Sequence, residues 1–475
     1  MALKKTLLGQ KIRRLRTERK LSQQEMATRL GISPSYLNLI EHDERPVTVT
    51  LLLKLGKVFG VDLQELSDDD ERRLAAALSE VFADSGLAAA ELDAAEVRRL
   101  VAAAPKATRA IIGLYRAWRT AREDAQALQL DLPGGRKRRV VLPNEEARDF
   151  FEARANHFPD IETAAEALSR PGDGSVEDTG RALAERLAQK HGIALDIAPL
   201  ERMNGALRRF EPQTRTLALS EVLPRSSRHF HLAYQLGLME AREAIDGTIR
   251  AAKLASPESE TLCRVGLANY FAGAVLMPYS PFLAAAQGAR YDIELLMHRF
   301  GVSFEQAAHR LSTLQRPGEA GIPFFFARAD IAGNVIKRFS AAGFHFSRFG
   351  GSCARFILHE VFATPGLIRT QIARLPDGAT FFALARTVEK TGGGFHAPVS
   401  HHAVGMGCDI ARAPELVYAD GLDLKAGNGA TEIGIGCRLC ERADCRQRAF
   451  PPLQHRLVVD EMVKGVSTYA FRERR

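Results

Sequence analysis

The sequence of 475 residues lacks any apolar run long enough to span a bilayer, and it shows no signal peptide. These two absences predict a cytoplasmic protein with no membrane association. Cysteine is scarce, with 6 residues in all, and only Cys263 precedes residue 350. Cysteines so few and so unevenly placed argue against a disulfide-stabilised scaffold. They favour metal binding or redox chemistry near the carboxyl end of the chain.

Positive charge is concentrated at the amino end. The whole chain carries a formal net charge of +8, and residues 1–60 contain 12 Lys and Arg against 5 Asp and Glu. A local excess of this kind is expected where a protein neutralises DNA phosphates. The length leaves room for two to four domains, each with its own core.

Two helix beginnings separated by a tight turn lie in residues 21–45. Ser22 and Glu25 have the spacing of a capping box, which begins a helix. Gly31 ends that helix where left-handed backbone is favoured, and Ser33 caps a second helix. Two short helices joined in this way predict a helix-turn-helix, whose second helix enters the major groove of DNA.

Residues 8–66 resemble the Xre/Cro-type helix-turn-helix family, through the joint pattern of Gln23, Ala27, Gly31, Ser33 and Glu41. Gln23, at a helix amino terminus, is expected to contact a phosphate of double-stranded DNA, whereas Glu41 is expected to brace the fold. The other predicted DNA contacts are in the second helix and at its cap: Ser33, Ser35, Tyr36 and Asn38. The apolar residues expected to close the bundle are Leu52, Leu55, Val58 and Val61.

An Ala-rich, helical stretch follows the predicted DNA-binding domain. It contains two apolar stripes at helical spacing, Leu74 to Phe82 and Ile111 to Trp118. The stripes fit either ordinary helix packing or a segment that forms dimers and passes a signal. Because repressors of this type read paired half-sites, we expect a homodimer or homotetramer.

The order of predicted elements changes after residue 140. Two helices, a strand, a hairpin and a long helix over residues 227–240 follow one another, which resembles the ImmA/IrrE-like (peptidase family M78) domains with an HExxH zinc motif. Here Tyr234, Gln235 and Leu238 occupy the three motif positions, so the zinc ligands and the general base are missing. A cleft without catalytic groups is suited to binding a small ligand.

The remaining cysteines predict a metal site. Thiolates at Cys437, Cys440 and Cys445 can converge through a tight turn, and Cys408 can supply a fourth ligand. Four thiolates suit a 4Fe-4S cluster or a structural zinc ion. The unequal cysteine spacing and nearby glycines favour the cluster, with Cys353 as the reserve ligand.

Taken together, the three parts resemble the bacterial short-chain acyl-CoA-responsive transcriptional regulators, of the propionyl-CoA or acetate/glyoxylate type. The most specific segments are residues 311–318, 323–326 with Arg328, 337–338 and 437–445. The resemblance implies control of genes for short acyl-CoA metabolism, an acyl-CoA effector in the middle domain, and an iron–sulfur cluster known in some members. The residues after Cys353 depart from the expected family pattern.

The predicted fold is multidomain and mainly α with α+β parts. It comprises an all-α DNA-binding head (1–67), a helical linker (68–139), a zincin-like α+β ligand-binding domain (140–348) and an α+β cysteine-bearing domain (349–475). Coenzyme A requires cations for its phosphates and aromatic faces for its adenine. The predicted acyl-CoA contacts are Phe210, Arg228, Tyr234, Tyr270, Tyr279, Arg316, Arg328 and Arg338, with Lys337 as a further cation. Tyr234 and Tyr270 are expected to line the acyl end.

Two other classes of function compete with this prediction. A metalloprotease regulator is disfavoured because the HExxH residues are absent. A redox- or iron-sensing transcription factor would use the cysteine site as its input and would bind no acyl-CoA.

Overall fold

The computed structural model describes residues 8–19, 21–42, 44–45, 47–59, 68–82, 93–129, 143–168, 176–346, 352–391, 393–424, 429–438, 440–452 and 462. The chain forms two compact units: an amino unit containing residues up to 139, and a carboxyl unit over residues 140–449. None of the helices within these described ranges is long and apolar enough to cross a membrane.

The described part of the amino unit is helical. Its helices are α1 (Leu8–Glu18), α2 (Gln23–Leu30), α3 (Pro34–Glu41), α4 (Val49–Phe59), α5 (Asp68–Phe82), α6 (Ala94–Ala103) and α7 (Pro105–Gln129). The predicted local signals are confirmed: Ser22 and Glu25 form a capping box, and Gly31 adopts φ +65°. Ser33 caps α3 by accepting a hydrogen bond from the backbone N–H of Tyr36.

One apolar face from each of the first four helices forms the core of the head. Its buried residues are Ile12, Met26, Ala27, Leu30, Leu37, Ile40, Leu51, Leu55 and Phe59. The prediction for Val58 was wrong, because α4 buries every fourth residue from Leu51 and leaves Val58 45% exposed. The side chain of Leu52, and Val61 as a whole, lie outside the described residues.

In the linker, α5 packs against both α6 and α7. Leu78, Val81 and Tyr115 are buried, as the apolar stripes predicted, but Trp118 remains 38% exposed. Ordinary helix packing therefore accounts for most of both stripes.

The carboxyl unit begins with helices and continues into sheets. Its helices are α8 (Pro143–Glu152), α9 (Pro159–Glu166), α10 (Val176–His191), α11 (Leu200–Met203), α12 (Arg225–Glu240), α13 (Arg242–Ala252), α14 (Pro257–Leu276), α15 (Tyr279–Gly288), α16 (Ile293–Phe300), α17 (Phe304–Leu311) and α18 (Ile357–Glu360). Its strands are β1 (Ala194–Ala198), β2 (Arg208–Glu211), β3 (Thr216–Ser220), β4 (Gln315–Arg316), β5 (Glu319–Ala320), β6 (Phe325–Asp330), β7 (Val335–Ser340), β8 (Arg369–Arg374), β9 (Thr380–Thr391), β10 (Val399–Asp409) and β11 (Thr431–Glu432).

The strands form a three-stranded sheet of order β1-β3-β2, a six-stranded sheet of order β11-β8-β9-β10-β6-β7, and the β4-β5 pair. In the six-stranded sheet, β6 and β7 precede residue 349 and β8 to β11 follow it. The predicted domain boundary at 348/349 therefore divides one sheet, and the structure does not separate the chain there. Residues 344–346, which follow β7, are irregular, and Phe344 and Phe346 pack against each other in an aromatic cluster.

The six-stranded sheet has two different faces, because successive side chains of a strand point to opposite sides. The first face carries Phe326, Leu384 and Met406, which belong to the same core as helices α12 and α14. The second face carries Phe325 and Ala383, which pack in a separate cluster with Phe356. Side chains on the first face can therefore meet helices α12 and α14, whereas those on the second face pack in the other cluster.

Candidate functional site

The outer surface of the helix-turn-helix carries the predicted DNA contacts. Ser35 and Asn38 are exposed on α3, and Tyr36 is half-buried against the core of the head. Ser33 is exposed, but its hydroxyl is already used as the cap of α3. The structure thus brings these residues together on one helix.

Gln23 connects this surface to a buried ion pair. Its side-chain amide donates to Asn38 Oδ1 at 3.2 Å and to Glu41 Oε2 at 2.8 Å. Glu41 is fully buried and pairs with Arg16 at 2.6 Å, which agrees with its expected bracing role. Burial alone would raise the pKa of Glu41, but hydrogen bonds from Arg16 and Gln23 outweigh it and lower the pKa. The position of Asn38 is therefore set by a network that extends into the core.

In the carboxyl unit, α12 carries the altered zinc motif. The Arg208 guanidinium lies 4.6 Å from the centre of the Tyr234 ring and donates to the side-chain oxygen of Gln235. A protein cation thus contacts two of the three positions that hold the metal ligands and the base in an intact motif. His229 of the same helix lies against Gly180 of α10.

Tyr270 and Tyr279 belong to a different set of contacts, which we call the Glu162 network. The Tyr270 hydroxyl donates to Glu162 Oε1 at 2.5 Å, and Arg310 donates to both Glu162 oxygens at 2.6 and 3.0 Å. Arg316 lies 4.0 Å from the centre of the Tyr279 ring. The hydroxyl of Tyr270 is thus committed to buried Glu162, and the role of Tyr270 with Tyr234 at the acyl end stays a prediction.

The Glu162 network balances its charges. Burial alone would raise the pKa of Glu162, but the positive charge of Arg310 outweighs burial and lowers it. Arg310 also donates to the carbonyl oxygen of Met277 at 2.9 Å. At the edge of the network, Arg316 pairs with Glu166 at 2.5 Å and Glu319 at 3.1 Å.

Three more predicted ligand contacts occupy separate places. Arg228 donates to the carbonyl oxygens of Leu223 and Glu221, at 2.9 and 2.7 Å, and so holds the loop before α12. Arg338 lies 3.6 Å from Glu145 of α8. Phe210, on β2, packs against the main core.

Arg328 and Lys337 belong to a third group, the basic cluster, which is Arg328, Lys337, Lys390, Glu305, His309 and His402. Glu305 pairs with Arg328 at 2.7 Å and with Lys390 at 3.4 Å. The Lys337 ammonium lies 5.9 Å from the centre of the Phe326 ring. Burial lowers the pKa of Lys337 to about 8, with Glu305 opposing and Arg328 and Lys390 adding to the shift.

The basic cluster adjoins the altered motif through His231 of α12. Burial lowers the pKa of His231 to about 4, and the positive charges of Arg208 and Lys390 contribute. Arg208, Lys390 and His402 were not among the predicted site residues. Lys390 and His402 come together through the pairing of β9 with β10, and Arg208 reaches α12 from the other sheet.

The cysteines divide between the two faces of the six-stranded sheet. Cys408 is buried on the first face, where burial raises its pKa to about 12. Cys353 is buried with the second-face cluster. Burial raises the pKa of Cys440, and the nearby thiols of Cys353 and Cys445 raise it further. The grouping of Cys408 with the other three was therefore wrong, since strand alternation turns it away from them.

Arg448 organises the loop that contains the last three cysteines. Its guanidinium donates to the carbonyl oxygens of Cys437 at 3.0 Å and Cys440 at 3.1 Å. The Cys437 sulfur accepts the backbone N–H of Ala449 at 3.4 Å. In the part of the chain that the structure describes, no three His, Cys, Asp or Glu side chains are already arranged to hold a metal ion.

Comparison with known families assigns three parts of the chain. Residues 12–66 match the helix-turn-helix family, residues 188–312 the IrrE N-terminal-like domain of peptidase M78, and residues 313–469 the carboxyl-terminal domain of short-chain fatty acyl coenzyme A regulators. The chain is 43% identical to the HTH-type transcriptional regulator RamB of Mycobacterium tuberculosis, covering 99% of this chain and 100% of RamB.

This chain belongs to the short-chain fatty acyl coenzyme A regulator family. Two other members are similar along almost their full length. The HTH-type transcriptional regulator PrpR of Mycobacterium tuberculosis is 41% identical, over 99% of this chain and 96% of PrpR. The propionyl-CoA carboxylase regulator of Cereibacter sphaeroides is 42% identical, over 98% of each chain.

A solved structure supports the fold of the family. A Mycobacterium tuberculosis transcriptional regulator matches with a TM-score of 0.66 and 43% identity, covering 69% of this chain and 100% of that one. Members of the family are transcriptional regulators with a DNA-binding helix-turn-helix and not enzymes, as predicted.

Proposed function

We propose that this regulator binds a short-chain acyl-CoA in its carboxyl unit, propionyl-CoA first, and that binding changes the DNA affinity of its helix-turn-helix. The observation that carries this proposal is the altered motif of α12, where Arg208 contacts Tyr234 and Gln235 in place of a metal ion. Residues 188–312 keep the match to the M78-like domain but lack its hydrolytic groups. The names of the relatives, in particular the propionyl-CoA carboxylase regulator, support the choice of ligand.

The size of the acyl pocket gives the first test. Calorimetric titration with acetyl-, propionyl-, butyryl- and octanoyl-CoA should show binding of the short esters and rejection of the long one. Each methylene should change the binding free energy by about 1–3 kcal/mol. Tyr234→Ala should weaken propionyl-CoA binding, because Tyr234 lies under Arg208 at the former metal position. Leu262→Ala, which truncates a 43% exposed side chain of the same unit, is the control. No heat with any short ester would reject the proposal.

DNA recognition by the exposed face of α3 is part of the same proposal. Asn38, Ser35 and Tyr36 would contact bases or sugars, and Gln23 would contact a phosphate while holding Asn38 in place. A homodimer or homotetramer would present two such helices to paired half-sites. Light scattering of the purified chain, alone and on a two-half-site duplex, tests this assembly.

We also propose that the cysteine loop holds a 4Fe-4S cluster, with zinc as the alternative. Cys437, Cys440 and Cys445 would supply three thiolates, and Cys353 would supply the fourth in place of Cys408. The support is the closeness of Cys353 and Cys445 to Cys440, and the loop order imposed by Arg448. When bound, such a group would stabilise the loop and supply redox sensitivity.

Metal analysis of protein purified without oxygen tests the cysteine proposal. Cys353→Ser and Cys440→Ser should each lose the metal, whereas Cys408→Ser should keep it. One zinc ion and no iron would reject the cluster but retain the site. Metal loss only in the Cys408 variant would reject Cys353 as the fourth ligand. A change in DNA affinity on oxidation, with no response to acyl-CoA, would favour the redox-sensor alternative.

A further inference from the structure

The basic cluster has more positive than negative charge, and it lies inside the carboxyl unit. Strand register explains how it forms: Arg328 of β6 pairs with Lys337 of β7, and His402 of β10 lies opposite Asp330 and Val388. Directly opposed residues share a face, so Arg328, Lys337, His402 and Lys390 all lie on the first face of the sheet. Glu305 and His309 come from α17.

The ion pairs of the cluster are incomplete. Arg328 and Lys390 share the single carboxylate of Glu305. Lys337 forms no ion pair with any residue in the described ranges. Burial, together with the charges of Arg328 and Lys390, lowers its pKa. The Lys337 residue is nevertheless exposed, so water reaches the cluster. Three cations around one carboxylate, in a place open to solvent, are suited to an anion.

Two buried polar atoms of the cluster also lack partners. Arg328 Nε and His402 Nδ1 are both inaccessible to solvent and make no hydrogen bond with any residue that the structure describes. An N–H donor left unpaired inside a protein is unfavourable, and it commonly marks the place of an absent ligand or water. A phosphate oxygen would accept hydrogen bonds from the Arg328 Nε–H and from the Nδ1–H of His402.

We propose that Arg328, Lys337 and Lys390 bind a phosphate group of the acyl-CoA effector. This inference rests on the proposed function, since it places the charged end of that ligand. After burial, Arg208 and Lys390 both lower the pKa of His231 on α12, which places the cluster next to the helix that carries Tyr234. The acyl end would lie against the altered motif, and the phosphates would lie against the sheet.

Lys390 gives the site a contact with the β9–β10 hairpin. Just beyond it, a Cβ built on Gly393 would lie 2.1 Å from Val222 Cγ1, so the hairpin approaches the loop before α12 very closely. A phosphate bound by Lys390 and Arg328 would therefore join the hairpin to the body of the unit.

Calorimetry on the full chain separates the two ends of the ligand. Lys337→Met and Lys390→Met should each weaken propionyl-CoA binding at least tenfold. Both variants should bind propionyl-pantetheine, which has no phosphate, as the parent chain does. Lys253→Met is the matched control, because Lys253 is an exposed lysine at the end of α13 in the same unit. Circular dichroism confirms that each variant is folded.

The outcomes distinguish this inference from the function on which it rests. If the parent chain binds propionyl-CoA and both lysine variants bind it equally well, the phosphate site is wrong and the proposed function stands. If the parent chain binds no acyl-CoA, the proposed function fails. The cluster is then a site for free phosphate only if inorganic pyrophosphate binds the parent chain and not the variants. No binding of either compound overturns the inference.

Discussion

The Glu162 network and the basic cluster both place charged groups inside the carboxyl unit, but they balance them differently. Glu162 and Arg310 are almost completely buried, and each meets its opposite charge at hydrogen-bond distance. In the basic cluster, Arg328 and Lys390 share Glu305, and Lys337 makes no ion pair with a described residue. A balanced buried network stabilises one fold, whereas an excess of one charge in a place that water reaches is suited to a ligand.

The strongest test of this difference removes one partner of the balanced pair. Glu162→Gln leaves the Arg310 guanidinium buried without a counter-ion, and we expect it to reduce the free energy of unfolding by about 3–5 kcal/mol. Urea unfolding followed by far-ultraviolet circular dichroism measures the loss. Trp118, the single tryptophan, reports on the amino unit separately by fluorescence.

The control for that experiment is an exposed pair of the same unit. Asp196 and Arg202 are joined at 2.8 Å, with side chains 38% and 61% exposed. Asp196→Asn should change the free energy of unfolding by less than about 1 kcal/mol. Equal effects of Glu162→Gln and Asp196→Asn would contradict the distinction between buried and exposed pairs.

The head extends the comparison to DNA. In the head, Glu41 is buried and paired with Arg16, whereas Asn38 is exposed on the surface of α3. Asn38→Ala should weaken binding to the cognate duplex by about 1–3 kcal/mol and relax sequence preference, with little change in stability. Fluorescence anisotropy with cognate and random duplexes measures both effects. An equal loss on the two duplexes would exclude Asn38 as a base-reading residue.

The smallest expected effect concerns pH and the unbalanced cluster. The pKa of Lys337 is lowered to about 8 in the folded chain by burial and by Arg328 and Lys390, against the opposing charge of Glu305. An unfolded lysine holds its proton up to about pH 10.4. Between these values the unfolded chain binds more protons, so stability rises with pH and the penalty from Lys337 is fully present below pH 8.

Replacing Lys337 should therefore stabilise the chain without ligand. We expect Lys337→Met to raise the free energy of unfolding at pH 7 by about 0.5–1 kcal/mol, a small gain because solvent screens this exposed residue. The gain should shrink towards pH 10. Urea titrations at the two pH values, with Lys253→Met as the control, measure it. Destabilisation at pH 7 would mean that Lys337 contributes to folding.

Local signals in the sequence predicted the head well. The capping box of Ser22 and Glu25 and the left-handed Gly31 depend on residues three to nine positions apart, and all are present. The altered zinc motif could also be recognised from the sequence, because its three positions lie on one helix. The prediction for Val58 was wrong because the helical period alone does not show which side of α4 is buried. That choice depends on the neighbouring helices.

Contacts between distant residues could not be predicted in this way. Nothing near Cys408 in sequence shows that strand alternation separates it from Cys440, which lies with Cys353 by the second face of the sheet. Nothing near Tyr270 in the sequence shows that its hydroxyl bonds to Glu162, which is 108 positions away. The basic cluster likewise requires the pairing of β6 with both β7 and β10.

The central claim is that acyl-CoA binding in the carboxyl unit controls DNA binding by the head. The direct measurement is the affinity for a duplex selected by the chain from a random pool, with and without saturating propionyl-CoA. The account predicts a change of about 5- to 150-fold, and calorimetry should show the same factor for propionyl-CoA when that duplex is present. An identical DNA affinity with and without bound propionyl-CoA would contradict it.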